Sequence, residues 1–283
     1  GMPIPTTTDG KPTLGRYVDD LLSTIFDAKK PMLVLLDELG QAPPAMQAAC
    51  APLLLARKIG RYVVPDCVTF AACTNRREDR AGASNILTHL TSRFATRLRL
   101  EPDPIDWLAR AALDGIAWEV QSHIKTSPSQ LMDFDGATHY ESQSTYACPR
   151  SWYAVSQLVK TDLPVSLWAD AFGGAVGTPA ATLFIAHLTM VRASINVHDV
   201  IVHGAKFKFP PEKALGARWG FAIGIGAMAR AETIDRVVAV AHSLPEVYGL
   251  CAIRQAAIAY SGMDFVRLAG TKLGKLLAET RVS

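Results

Sequence analysis

Residues 32–38 read Met-Leu-Val-Leu-Leu-Asp-Glu, five apolar side chains in a row and then two carboxylates. Pro31 closes off any helix arriving from upstream, and an apolar run this short and unbroken predicts a strand covered on both faces. Such a strand delivers Asp37 and Glu38 to the carboxyl edge of a sheet, where open α/β folds hold their ligands. Ahead of it, Val18, Leu21, Leu22, Ile25 and Phe26 fall at helical spacing opposite Asp19, Asp20 and Asp27, which predicts an amphipathic helix over 18–28. Behind it, Pro43 and Pro44 suit the first turn of a helix over 45–56 that ends in Arg57 and Lys58.

Further along, residues 61–64, a turn at Pro65-Asp66 and residues 67–73 read as a hairpin with an apolar second arm, ended by Thr74-Asn75. Residues 87–94 are expected to be helical and 96–100 to form a third strand. Pro102 and Pro104 then mark a domain boundary. From Asp106 onward the pattern is helical, punctuated by Pro149, Pro164, Pro179, Pro210-Pro211 and Pro245. The expected organisation is an α/β core over 1–104, a helical lid over 105–165 and an all-helical extension over 166–283.

The 283 residues are 49% hydrophobic and 19% charged, a globular composition that excludes a disordered tail. The five cysteines are odd in number, dispersed and free of any C-x-x-C pair, which points away from a disulfide framework or zinc knuckle and toward a cytoplasmic location. The run 171–191 lacks formal charge, but Gly173, Gly174, Gly177 and Pro179 interrupt it, so a buried core helix is expected and no membrane partner. A net charge of +3 is too small to imply nucleic acid. It is unevenly spread: 13 basic against 11 acidic residues over 1–104, 4 against 8 over 105–170, and 12 against 7 over 171–283.

Four features carry chemistry. Asp37 and Glu38 at a strand end have the makings of a Mg²⁺ ligand and a base that polarises a water; a solvated acidic turn is the competing reading. Asn75 would face the same edge if its strand runs parallel to the first, though an Asn also simply favours turns. Ser92-Arg93-Phe94 with Arg97, and Pro149-Arg150-Ser151-Trp152 at a helix start, supply arginines able to stabilise a transferring phosphoryl group, unless they are ordinary surface residues.

In order and spacing, L-V-L-L-D-E-x-x-x-A-P-P-x-x-Q, A-A-C-T-N-R, S-R-F and P-R over residues 33–150 resemble the AAA+ ATPases, specifically the MoxR type. The resemblance implies that Asp37 is the Mg²⁺ carboxylate of Walker B, Glu38 the catalytic base, Asn75 sensor 1, Arg93 the arginine finger with Arg97 as second choice near the nucleotide, and Arg150 sensor 2. It implies ATP and Mg²⁺ as cofactors, a homo-hexamer that remodels client proteins or loads them with metal, and a von Willebrand factor A domain protein as partner. It is strong over 17–160, touches Asp79-Arg80-Ala81-Gly82 and Asp133-Phe134-Asp135, and is weak beyond.

One departure outweighs these matches: the sequence contains no G-x-x-x-x-G-K-[ST]. Without backbone amides to cradle phosphates and a lysine to meet them, Asp37 and Glu38 confront a triphosphate of their own sign of charge. The expectation is an incomplete P-loop NTPase sheet lacking its first strands, in a truncated form or remnant of a MoxR-type ATPase that binds no ATP tightly by itself. A non-catalytic protein-interaction module is the alternative. The family's strand order, 5-1-4-3-2, leaves a gap beside the sensor 1 strand, which either direct closure or an intruding segment should fill.

Weaker signals carry bland expectations. Gly224-Ile225-Gly226-Ala227-Met228-Ala229 matches a loose dinucleotide pattern, but its helical setting suits packing glycines. His198 and His203 are not at i, i+4 and have no H-E-x-x-H context, so they read as solvent or core histidines rather than zinc ligands. Arg76, Arg77 and Arg80 read as a solvated loop.

Overall fold

The computed structural model describes residues 3–8, 10–16, 20–75, 86–134, 144–161, 163–194, 196–260 and 274. It is a mixed α/β protein with a small parallel sheet and a helical carboxyl-terminal region. The described residues fall into two compact units, one running through Arg99 and one starting at Leu100.

The first unit opens with an antiparallel hairpin, β1 (Pro3–Thr8) and β2 (Lys11–Arg16), registered Thr8 against Lys11, with Gly10 at φ +74 in the turn. Helix α1 (Asp20–Phe26) follows, then strand β3 (Met32–Leu36) and helix α2 (Pro44–Leu55), whose first residue is the expected Pro44. The expected hairpin lies elsewhere: β4 (Lys58–Ile59) pairs with β5 (Tyr62–Val63) about Gly60, at φ +58. Arg57, just ahead of β4, fastens the stretch that follows β5, its guanidinium donating to the carbonyls of Pro65 (2.7 Å) and Val68 (2.9 Å). Strand β6 (Val68–Ala72) pairs in parallel with β3, from Met32 against Val68 to Leu36 against Ala72.

Four expectations fail here. Strand β3 is covered on one face only. Met32 and Val34 pack with Leu22, Ile25 and Phe26 of α1, Leu53 of α2 and Val68, whereas Leu33 and Leu35 are 68% and 55% exposed. Residues 96–100 form no strand, and Leu98 and Leu100 point into solvent. A strand persists by pairing, and the described residues offer that segment no neighbour. The gap beside β6 is likewise not filled: among the described strands β6 pairs with β3 alone. The expected helix over 87–94 shrinks to one turn, α3 (Thr88–Thr91).

The second unit has helices and no strand among its described residues: α4 (Pro104–Leu113), α5 (Trp118–Thr126), α6 (Pro149–Lys160), α7 (Trp168–Val176), α8 (Thr178–Ser194), α9 (Leu215–Ala227), α10 (Ile234–Ser243) and α11 (Glu246–Ala259). Pro104 lies inside this unit rather than at its boundary. It is the first residue of α4, and Asp103 caps that helix by accepting from the amides of Ile105 (2.7 Å) and Asp106 (2.9 Å). One hydrophobic cluster runs from Trp107 through Ile124, Trp152 and Phe172 to Phe184 and Leu188, so the helices on either side of residue 165 share a core. A second gathers Ile201, Phe221, Ile225, Val237 and Ile253.

Thr178–His203 is the one run among the described residues long and apolar enough to cross a membrane by length and composition. Its Ala180, Phe184, Leu188 and Val191 lie in the protein core, and Gly177, at φ +83, separates it from α7. The glycines of α9 are packing glycines. A Cβ on Gly220 would press on Val191, and one on Gly226 would run into the carbonyl of Ala252 in α11.

Candidate functional site

Because β3 and β6 run in parallel and in register, their carboxyl ends emerge side by side, Asp37-Glu38 after one and Cys73-Thr74-Asn75 after the other. The ladder continues one step beyond the strands: the Cys73 amide donates to the Leu36 carbonyl and the Leu39 amide to the Cys73 carbonyl, both at 3.0 Å. To return to β6 this way the chain turns sharply at Glu38, which takes φ +52, a left-handed conformation uncommon for a residue with a side chain. Asp37 supports the turn, its Oδ1 accepting from the Glu38 amide at 3.0 Å. Both carboxylates and Asn75 are exposed. One edge of a small parallel sheet therefore presents two acids and an amide, a set able to hold a hydrated divalent cation and orient a water.

Two residues that the sequence reading gave no role hold this edge together. Gly40 is buried against Thr74, so close that a Cβ would collide with the Thr74 hydroxyl. Gln47, the last residue of the A-P-P-x-x-Q stretch, is fully buried in α2. Its Nε2 donates to the Ala42 carbonyl (3.0 Å) and its Oε1 accepts from the Leu87 amide (2.9 Å), which ties the turn after β3 to the segment that leads into α3. A glutamine in an otherwise apolar helix face was the available signal, since a buried amide must find partners.

Arg93 lies in the turn after α3 and Arg97 in the extended stretch beyond it; both are exposed. Arg76, Arg77, Arg80 and Asp79 through Gly82 lie outside the described residues, as does Asp135.

Arg150 belongs to the second unit, at the start of α6. Its neighbours have structural tasks. Pro149 opens the helix, Ser151 Oγ accepts from the Cys148 amide (2.9 Å), and buried Trp152 donates from Nε1 to the Gln130 carbonyl (2.9 Å). Arg150 alone points into solvent, and a cation in the first turn of a helix opposes the helix dipole. Folding of α6 therefore gives no reason for an arginine there.

Glu119 and Arg192 form an ion pair at 3.1 Å elsewhere in the helical unit. Nearby, Ser122 Oγ and His187 Nε2 share a hydrogen bond of 2.7 Å, and His123 packs edge-on or tilted against His187, Trp152 and Phe184, its Nε2 without a hydrogen-bond partner among the described residues. Burial drives the pKa of both imidazoles down, to about 3 for His123, helped by the charge on His187, and to about 4 for His187. Both are neutral core residues at physiological pH, too enclosed to meet a substrate.

No family model, curated protein or solved structure matches the chain.

Proposed function

We propose that the first unit is the Walker B and sensor 1 portion of a MoxR-type AAA+ ATPase, and that this chain by itself neither binds nor hydrolyses ATP tightly. The observation that carries the reading is the parallel register of β3 and β6, which puts Asp37, Glu38 and Asn75 on one sheet edge. That is the arrangement a Mg²⁺ carboxylate, a base and a γ-phosphate sensor require. Arg150, unexplained by the helix in whose first turn it lies, supports the reading from the second unit. In the assembled enzyme Asp37 would hold Mg²⁺ and Glu38 would polarise the attacking water. Arg93, with Arg97 as second choice, would reach a neighbouring subunit's phosphate. The clients, the hexamer and the von Willebrand factor A partner belong to the same proposal.

Isothermal calorimetry of the full chain with Mg-ATP tests the inactive half of the reading. The expected result is a Kd weaker than about 100 μM, less favourable than roughly −5.5 kcal/mol. Tighter binding overturns it. The lineage is tested with the coding sequence read in frame upstream of Met2. A G-x-x-x-x-G-K-[ST] there, in a chain whose ATPase activity disappears with Glu38→Gln, supports it. A stop codon close upstream refutes a truncated ATPase. The non-catalytic interaction module then stands, favoured by the uncovered apolar side chains of Leu33 and Leu35 on the outer face of β3.

A further inference from the structure

We propose that His198, Asp199 and His203 form a binding site for a divalent first-row transition-metal ion of the Zn²⁺ class, independent of the nucleotide reading. Five residues apart on an α-helix, two side chains sit about 140° apart around the axis and cannot share a ligand. The backbone here is a π-turn, Asp199–His203, in which the Gly204 amide donates to the Asp199 carbonyl. That i→i+5 closure brings residues five apart over one another. The imidazole rings of His198 and His203 accordingly lie 5.3 Å apart, centre to centre. One ligating atom from each of the three residues falls within 4.8 Å of the others.

Ligands of a tetrahedral ion with bonds of about 2.0–2.1 Å sit roughly 3.3 Å apart, a closure that small rotations of exposed side chains supply. His198 Nδ1 and Asp199 Oδ1 are 3.9 Å apart, both facing solvent. The other carboxylate oxygen is already engaged: Asn196 Nδ2 donates to Asp199 Oδ2 at 2.8 Å. This is the second tier of hydrogen bonding that aims a ligating carboxylate.

The backbone of the turn is held from two sides. Val200 and Ile201 are buried in the second hydrophobic cluster, and Arg236 of α10 donates to the carbonyls of Ile201 (2.7 Å) and Val202 (2.6 Å). Three ligands thus stand on a fixed frame with their donor atoms in water. Two imidazoles and one carboxylate suit Zn²⁺, Ni²⁺ or Cu²⁺ rather than Mg²⁺ or Ca²⁺, and leave further coordination positions to water or an added ligand.

Zn²⁺ titration of the full chain by calorimetry tests the site. The expected result is one equivalent bound, at least 10-fold more weakly in His198→Gln and in His203→Gln. Asn196→Ala should cost about 10-fold, and His242→Gln should change nothing. Absence of saturable binding below about 1 mM, or a Kd unmoved by both histidine substitutions, overturns the proposal. A readout needing no variant is the histidine NMR spectrum of the unmodified chain during the titration. Shifts confined to the His198 and His203 imidazoles support the site, and shifts confined to other histidines refute it.

Discussion

Mild acid should destabilise the helical unit, and the size of the effect follows from two imidazoles. His123 and His187 are 2% and 8% exposed, enclosed by Trp152 and Phe184, and titrate in the folded chain near 3 and 4. In the unfolded chain a histidine titrates near 6.5. Between these limits the unfolded state binds more protons than the folded one, so stability falls as pH falls. The full contribution is present above pH 6.5 and drains away from there down to the folded values.

Each histidine loses about 1.4 kcal/mol per pH unit. At pH 5 that is about 2 kcal/mol apiece and about 4 kcal/mol for the pair, against a total stability of roughly 5–15 kcal/mol for a domain. Asp114, whose carboxyl Tyr153 and Arg110 hold below its usual range, adds to the loss only in stronger acid. All five tryptophans lie in the helical unit, so their fluorescence during urea unfolding reports this unit alone. The expected urea midpoint falls steeply from pH 7 to pH 5. His123→Phe should halve that fall, because it removes one of the two protons taken up and leaves no polar group behind: the Nε2 it deletes has no partner. An unchanged midpoint in the natural sequence at pH 5, or a pH slope in His123→Phe equal to that of the natural sequence, would refute the reasoning.

Two further substitutions probe the packing. Gln47→Leu leaves the Leu87 amide without its acceptor inside the first unit, a loss of about 2 kcal/mol; hydrogen exchange at the Cys73 and Leu39 amides should accelerate accordingly, and unchanged protection would show that Gln47 does not hold the site edge. Gly226→Ala drives a methyl group into the Ala252 carbonyl and should cost about 1–3 kcal/mol, whereas Gly174→Ala, in α7 with open space around it, should be neutral or stabilising by up to about 1 kcal/mol. Tryptophan-monitored urea unfolding separates the two, and equal midpoints would contradict the contact.

What the sequence disclosed, and what it withheld, divides along the range of the forces involved. Met32–Leu36, the helix after Pro43 and the capped start at Asp103-Pro104 were legible because apolar runs, prolines and caps act within a few residues. The hairpin was misplaced because Pro65-Asp66 looks like a turn as good as Gly60-Arg61. In the structure the Arg57 guanidinium reaches eight and eleven residues ahead to the carbonyls of Pro65 and Val68, contacts that no local pattern discloses. A shorter local signal is Gly10, whose φ of +74 lies in the turn between β1 and β2. Exposure of Leu33 and Leu35 was illegible for a different reason: hydrophobicity states what a side chain prefers, not whether the described chain supplies a covering layer.

The two histidines of the π-turn show the same limit at the level of chemistry. Spacing is a proxy for geometry only while the backbone period is known, and the rule that separates ligands by four residues assumes 3.6 residues per turn. One extra residue in the turn after Val197 changes that period, and His198 and His203 move from opposite sides of a helix to one face. The carboxylates of Asp37 and Glu38 survive translation from sequence to structure because a parallel register is insensitive to such local changes. Leu36 stays opposite Ala72, and whatever follows each strand stays at one edge. The placement of a residue at a strand end can thus be read from a linear pattern, whereas its placement on an irregular turn has to be measured.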